Sequence, residues 1–159
     1  AFLGVTALIY LVPQALLHLG LAFLAEDGFI SYLGANLDVL WKVPVVTAGY
    51  LALHGGLVCL VSAYVNRTGM AAAVFLGLIT AGGSVASRIG LLDAPFVRYV
   101  SLLAVDQHPR IIRDELFGIR TADYPAIQVG FDPWVSVVVV AVVALGSLWL
   151  VYRRYARLA

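Results

Sequence analysis

Polar side chains recur at every fourth position of an otherwise apolar stretch near the start of the chain, TALIYLVPQALLHL. The four are Thr6, Tyr10, Gln14 and His18. Because residues four apart lie on the same face of a helix, they form one stripe of hydroxyl, phenol, amide and imidazole groups. Such a stripe binds the polar part of a ligand or hydrogen-bonds to a neighbouring helix.

Two later apolar segments carry similar polar stripes, and a fourth apolar segment nearly lacks one. The stripes consist of Thr47, Tyr50, His54 and Ser62 in the second segment, and of Thr80, Ser84 and Arg88 in the third. In hydrocarbon an unpaired polar group is costly, so we expect the three stripes to face one another. This predicts a polar seam between the first three segments, with the valine-rich fourth segment packed outside it.

The ionisable members of the stripes favour a ligand, because charged groups inside a membrane are costly and commonly functional. The predicted ligand-binding residues are Tyr10, Gln14, His18, Tyr50, His54 and Arg88. His18 and His54 are also possible haem ligands. Their predicted depths of about 10 Å and about 17 Å suit one elongated ligand, such as a quinone or a lipid, better than one iron. The alternative is that the stripes only hydrogen-bond the helices to each other.

The sequence carries no recognised catalytic pattern. It contains no GxSxG, HExxH or P-loop motif, and no HxxxH or HxxE pattern within an apolar segment. We therefore predict no catalytic residue and, haem aside, no metal site. The single cysteine, Cys59, excludes paired-thiol redox chemistry and is expected to be a small buried hydrophobic residue. His108, in the polar stretch DQHPR, is expected to be an exposed helix-capping residue.

The composition is that of a membrane protein. Of the 159 residues, 62% are hydrophobic and 12% are charged, and the mean hydropathy is +0.97; soluble domains contain about 25% charged residues. A helix needs about 20 apolar residues to cross a bilayer. Four segments meet that requirement, at about residues 2–25, 43–64, 70–92 and 133–152. We therefore predict an all-α integral membrane protein, one domain over residues 1–159, folded as a four-helix transmembrane bundle.

Charges in the connecting segments predict the orientation. Arg153, Arg154 and Arg157 closely follow the last span, whereas the carboxylates lie in the loops 26–42 and 93–132 or at span ends. Because short segments rich in Lys and Arg stay on the cytoplasmic side, we expect both termini to be cytoplasmic. The two longer loops are then extracytoplasmic.

Both outer loops are predicted to be structured by short amphipathic interfacial helices. The loop 93–132 contains DQHPRIIRDELFG, with Pro109 near the start of a helix and Gly118 at its end. Ile111 is expected to dip into the membrane interface while Asp114 stays in water. At the start of the last span, FDPW predicts Asp132 as the N-cap.

These observations favour a non-catalytic accessory or assembly subunit of a larger membrane complex, since the chain is small and has no catalytic motif. The alternative is a membrane redox or lipid-ligand protein that holds a quinone, a haem or a lipid in the seam. A small transporter is disfavoured because neither internal repeats nor a pair of broken helices is evident. The expected partners are the lipid bilayer and other membrane-protein subunits. A net charge of +1 gives no reason to expect nucleic acid.

Overall fold

The computed structural model describes residues 2–89 and 97–157 of the chain. Within these ranges it leaves undescribed the side chains of residues 2, 3, 5–7, 10, 87, 89 and 97. The regular secondary structure of the described residues is entirely helical, which confirms the predicted all-α class. These residues fall into two compact units, Ala1–Leu51 and Ala52–Ala159, and each is described by itself. A single membrane domain stays a prediction.

Among the described residues, three helical stretches are long and apolar enough to cross a membrane. They are Val39–Tyr64, Thr68–Ala86 and Val135–Ala156. They overlap the predicted second, third and fourth spans, of which residues 90–92 lie outside the described residues. The first predicted span, residues 2–25, is helical, but its described apolar part, Leu11–Leu24, is shorter than a membrane span. The count of four spans therefore stays a prediction.

The unit Ala1–Leu51 consists of α1 (Phe2–Leu24), α2 (Phe29–Ala35) and α3 (Val39–Tyr50). Gly28 precedes α2 with a φ of +88°, a left-handed conformation that glycine adopts without steric cost. The chain turns there, and α1 packs against both α2 and α3. α2 confirms a short helix in the loop 26–42; its position at a membrane interface stays a prediction.

The unit Ala52–Ala159 contains two long helices and several short ones. In chain order they are the π-helical turn Leu51–Gly55, α4 (Gly56–Tyr64), α5 (Thr68–Ile89), α6 (Val97–Val100), the 3-10 turns Ser101–Leu103 and Val105–Gln107, α7 (His108–Leu116), α8 (Pro125–Gln128) and α9 (Val135–Ala156). The short helices from α6 to α8 belong to the predicted loop 93–132. This loop is therefore structured, as the sequence predicts.

α4 and α9 run parallel and form the most extensive helix pair of this unit. Near the start of α4, a Cβ added to Gly56 would lie 3.3 Å from the Cα of Ala144. Further along both helices, the Tyr64 hydroxyl donates a hydrogen bond to the Leu150 carbonyl at 3.4 Å. Because Gly56 has no side chain, the two backbones approach closely.

α9 buries one stripe of side chains, and its other residues are half-buried or exposed. The buried stripe consists of Ser136, Val140, Ala144 and Ser147. It faces α4 and α7, whereas Val138, Val142 and Leu145 are exposed. The last span therefore contributes a packed face that includes both of its serines, where the sequence indicated only an outer, valine-rich helix.

Of two local predictions about helix ends, one is confirmed and the other is wrong. Pro109 occupies the first turn of α7, and Gly118, with a φ of +66°, follows its end. At the start of α9, the Asp132 carboxylate accepts a hydrogen bond from the Trp134 N–H at 2.9 Å. The N-cap of α9 is Trp134, which makes no side-chain capping bond, so the prediction of Asp132 as the N-cap is wrong, and its carboxylate instead closes the turn that precedes the helix.

Four expectations about single side chains are wrong. Ile111 and Asp114 were expected at the surface of α7 but are 0% and 4% exposed, because that face packs inside the unit. His108, expected in solvent, is 1% exposed on the same face. Cys59, expected to be buried, is exposed on α4. A thiol is apolar enough to face hydrocarbon, so the burial preference of soluble proteins does not apply on a membrane helix.

Candidate functional site

A cavity of about 500 Å³ lies between the three helices of the unit Ala1–Leu51. Its lining is mostly aliphatic but includes three polar side chains, those of His18, Tyr32 and Asn36. The other lining residues are Leu11, Ala15, Leu19, Leu33, Leu37, Val39, Leu40, Val43 and Pro44. The volume falls in the range of about 300–1,000 Å³ that is typical of ligand pockets. Of the five predicted ligand-binding residues whose side chains the structure describes, only His18 lines this cavity.

The polar groups of this cavity come from α1, α2 and the residue after α2. His18 is half-buried on α1, and the Asn36 side chain donates a hydrogen bond to the Tyr32 carbonyl at 2.8 Å. An imidazole, a phenol and an amide in an otherwise apolar lining suit a ligand with an apolar body and one polar end. Gln14 and Tyr50 are half-buried in the same unit but do not line the cavity. The Tyr10 side chain lies outside the described residues.

His54 lies in the π-helical turn that precedes α4. Its half-buried ring meets Phe75 of α5 edge-on, with ring centroids 6.3 Å apart and an interplanar angle of 69°. Turns of this kind inside α-helices are frequent at functional sites, because they re-aim a side chain. In this unit the side chain is aimed at the apolar side of α5.

The polar stripe of the third span points to the opposite side of α5 from Phe75. Thr80, Ser84 and Arg88 are exposed, together with the small residues Ala73, Gly77 and Ala81. We call these six residues the exposed α5 face. Within the unit Ala52–Ala159, the stripe and His54 are therefore not brought together. The seam shared by three spans stays a prediction.

One polar side chain of the exposed α5 face forms a hydrogen bond within its own helix. The Thr80 hydroxyl donates a hydrogen bond to the Leu76 carbonyl one turn earlier, at 2.8 Å. The other side of α5 packs closely: a Cβ added to Gly82 would collide with the Leu103 carbonyl oxygen. Because this contact requires glycine, α5 turns its smallest residues toward the 97–107 segment as well as outward.

A second apolar cavity, of about 540 Å³, runs beside α5. Gly77, Ala81 and Gly82 of α5 form part of its lining. Large aliphatic residues complete it, namely Leu57, Val74, Leu78, Ile79, Val85, Leu103 and Val105. It has the chemistry of a hydrocarbon-filled groove, with no ionisable group in its lining.

His108 forms a buried polar contact that sequence reasoning missed. Its Nε2 donates to the Leu102 carbonyl at 3.0 Å, which leaves Nδ1 to accept from the Ser136 hydroxyl, also at 3.0 Å. Burial lowers the pKa of His108, and the Leu102 carbonyl and the Asp106 charge oppose this without cancelling it. A histidine bonded to a serine hydroxyl resembles a base–nucleophile pair. Here both groups are buried, at 1% and 2% exposed, so the pair joins α7 to α9 and reaches no substrate.

Asp114 is the second buried polar residue of α7. Its carboxylate accepts hydrogen bonds from Arg113 Nε at 2.7 Å and from the Tyr124 hydroxyl at 2.6 Å. Burial raises the pKa of Asp114, but these bonds and the charges of Arg113 and Arg110 outweigh it, so the pKa lies below its usual value. Burial and the Asp114 carboxylate raise the pKa of Tyr124 to about 12. The pair fixes α7 to the residues that precede α8.

Spacing was the available signal for this buried face. His108, Ile111 and Asp114 are three residues apart, so they share a helix face with an isoleucine at its centre.

Among the described residues, no group of three or more His, Cys, Asp or Glu side chains is close enough to hold a metal ion. No protein-family model, curated protein or solved structure matches the chain.

Proposed function

We propose that this protein is a non-catalytic accessory or assembly subunit of a larger membrane complex, and that the exposed α5 face contacts a helix of another subunit. The observation that carries the proposal is a membrane-length helix with small and polar residues on its exposed side. Only 6% of the apolar stretch Thr68–Ala86 of α5 is buried, compared with 33% for Val39–Tyr64 and 22% for Val135–Ala156.

The residue types on α5 differ from those on the other exposed span. α9 exposes large aliphatic residues such as Val138, Val142 and Leu145, as a lipid-facing surface does. The exposed α5 face instead has Gly77 and Ala81, and a Cβ added to Gly77 would meet no atom within 4 Å. In membranes, small residues let a second helix approach closely enough for dispersion contacts and hydrogen bonds. Glycine within a helix costs about 0.5–1 kcal/mol, which a lipid contact does not return.

Arg88 supports a protein neighbour of complementary charge. It is exposed in the last turn of α5, and no carboxylate of the described residues lies within ion-pair distance of it. A partner helix with an acidic or hydrogen-bonding side chain at this level would pair with the guanidinium.

Photocrosslinking in intact cells tests the proposal. A photoreactive amino acid at Gly77 is expected to give a crosslinked species of one defined mass above the 17.0 kDa chain. The matched control is the same amino acid at Val142, which is exposed on α9 and should give no defined protein adduct. Equal adducts from both positions, or product only at the mass of the single chain, would contradict a specific partner at α5.

A pair of substitutions tests whether the same contact is needed for association with the partner. Gly77→Leu should abolish co-purification with the partner after mild solubilisation, because the side chain separates the two helices. Val142→Leu adds one methylene at an exposed position and should leave co-purification unchanged. Normal thermal unfolding of isolated Gly77→Leu would show that the loss is one of assembly. Recovery of a normal complex with Gly77→Leu would refute the proposed contact.

A second candidate function rests on a separate observation, the 500 Å³ cavity of the unit Ala1–Leu51. The chemistry of its lining favours a lipid or quinone whose polar end reaches His18, Tyr32 or Asn36. Its lining contains one histidine, which gives a single axial haem ligand.

Extraction of bound small molecules separates the two candidates. The visible spectrum and the extractable lipids of the gently purified protein are expected to show one quinone or lipid per chain if the cavity is a site. His18→Leu should remove that molecule, whereas His54→Leu should retain it. Retention in His18→Leu, or equal loss in both variants, would exclude a site assigned to this cavity alone.

A further inference from the structure

The C-terminal end of α9 and the end of α4 form a basic cavity that the proposed subunit function does not use. The cavity has a volume of about 510 Å³ and is lined by Tyr64, Leu150, Arg153, Arg154 and Arg157. Because α4 and α9 run parallel, their ends bring these residues to one end of the unit. We propose that this cavity binds the phosphate of an acidic phospholipid headgroup.

Two of the three arginines that line the cavity lie over aromatic rings, and this contact leaves their N–H groups available. The Arg154 guanidinium carbon lies 4.7 Å from the centre of the Tyr64 ring, and that of Arg153 lies 5.3 Å from the Trp149 ring. A guanidinium stacked on a ring keeps its donors in the plane, where they bind phosphate oxygens in pairs. The rings therefore orient the two cations without neutralising them.

Among the described residues, no acidic side chain lines this cavity. All nine acidic residues lie within residues 26–38 and 93–132, and none lies in residues 39–92 or 133–159. In the described part of the chain, Arg153, Arg154 and Arg157 take part in no ion pair. The neighbouring carbonyls of the last turn of α9 carry only partial negative charge. The positive charge of these three arginines is therefore not balanced by an ion pair within the described residues, and an external anion would balance it.

Position along the helix identifies a lipid as the source of the anion. α9 is long and apolar enough to cross a membrane, and Trp149, Tyr152 and Tyr155 near its end are typical of the headgroup level. The phosphates of a bilayer lie at this level, and Leu150 in the lining suits the first methylenes of an acyl chain. A soluble phosphate would satisfy the arginines but not this apolar contact.

Lipid titration of the purified full-length protein in detergent tests the proposal. Unfolding temperature is measured against dioctanoyl phosphatidylglycerol, dioctanoyl phosphatidylcholine and inorganic phosphate at one fixed ionic strength. We expect saturable stabilisation by phosphatidylglycerol, at least about tenfold weaker binding of phosphatidylcholine, and weaker stabilisation by inorganic phosphate, which lacks the apolar contact. Equal binding of the two lipids, or equal stabilisation by inorganic phosphate and phosphatidylglycerol, would overturn it.

Arginine variants locate the binding. Arg154→Gln should weaken phosphatidylglycerol binding about fivefold, because each basic residue near an anionic lipid contributes a similar factor. The matched control is Arg98→Gln, which removes the same charge from a guanidinium that also stacks on rings, 4.8 Å from Tyr99 and 5.5 Å from Phe131. If Arg154→Gln fails to fold, Arg157→Gln provides the same test, because Arg157 is exposed. Unchanged binding in the foldable variant, or the same loss in Arg98→Gln, would refute the site.

Discussion

The imidazole of His108 and the hydroxyl of Ser136 are joined by a 3.0 Å hydrogen bond between residues 28 positions apart in the chain. The bond connects the first residue of α7 to the first turn of α9. With the second bond to Leu102, it holds three segments of the unit Ala52–Ala159 together. Because the ring is buried, the folded protein favours the neutral form of this histidine.

The first prediction concerns the pH dependence that follows from this junction. The folded-state pKa of His108 lies below the usual value of 6.5, so the unfolded chain takes up the proton first as the pH falls. The histidine therefore causes no loss of stability above about pH 6.5 and lowers stability progressively below it. We expect the unfolding temperature of the purified protein to fall between pH 7 and pH 5.

His108→Gln isolates the contribution of this residue to the pH profile. Glutamine keeps a donor and an acceptor but does not titrate, so the decline below about pH 6.5 should be smaller than in the wild type. His54→Gln controls for histidine replacement in general. An unchanged slope in His108→Gln would show that the buried imidazole does not control the decline.

The second prediction concerns Tyr124, whose hydroxyl donates to the buried carboxylate of Asp114 at 2.6 Å. Tyr124→Phe removes the donor and leaves the ring, so the carboxylate loses one of two partners. We expect a loss of about 1–3 kcal/mol in the free energy of unfolding, the usual range for an unpaired buried polar group. The pKa of Asp114 should also rise toward its usual value of 3.8, so this carboxylate should account for a smaller loss of stability on acidification than in the wild type.

Denaturant unfolding of Tyr124→Phe and Tyr155→Phe measures this contribution. Tyr155 is exposed on α9, and its hydroxyl should contribute almost nothing. A similar small change in both variants would show that the Tyr124–Asp114 contact does not stabilise the fold.

The third prediction uses two glycines of one helix. Gly82→Ala places a Cβ against the Leu103 carbonyl oxygen, so α5 and the 97–107 segment must separate. We expect a loss of about 1–3 kcal/mol, as for other overpacked sites. Gly77→Ala meets open space and should stabilise the isolated protein by up to about 1 kcal/mol, because alanine is the better helix former. Equal unfolding temperatures for the two variants would contradict the close contact at Gly82.

Sequence signals predicted those parts of the fold that depend on neighbours in the chain. Pro109 and Gly118 mark the ends of α7, because each acts on backbone groups a few residues away. The hydrophobic runs predicted the long helices for the same reason. Such signals depend on residues that are close together in the chain, so the sequence alone is enough to predict their effect.

The site was predicted less well, because periodicity gives the face of a helix but not its neighbour. Thr80, Ser84 and Arg88 do share a face, yet that face points away from Phe75 and His54. Thr80 needs no partner helix, since its hydroxyl bonds to a carbonyl of its own helix. The hydrogen-bond partner of His108 depends on long-range packing, for which no local pattern exists.

The last prediction is the orientation of the chain, which follows from charge and can fail independently of any function. Gly34, Ala122 and Ala156 are exposed, so a cysteine at each should be tolerated. In a Cys59→Ala background, an impermeant thiol reagent added to intact cells should label Gly34→Cys and Ala122→Cys. Ala156→Cys should react only after permeabilisation, because the arginines beside it retain that end in the cytoplasm. Labelling in the reverse order would place the acidic loops inside, and the arginine cavity would then face the outer leaflet.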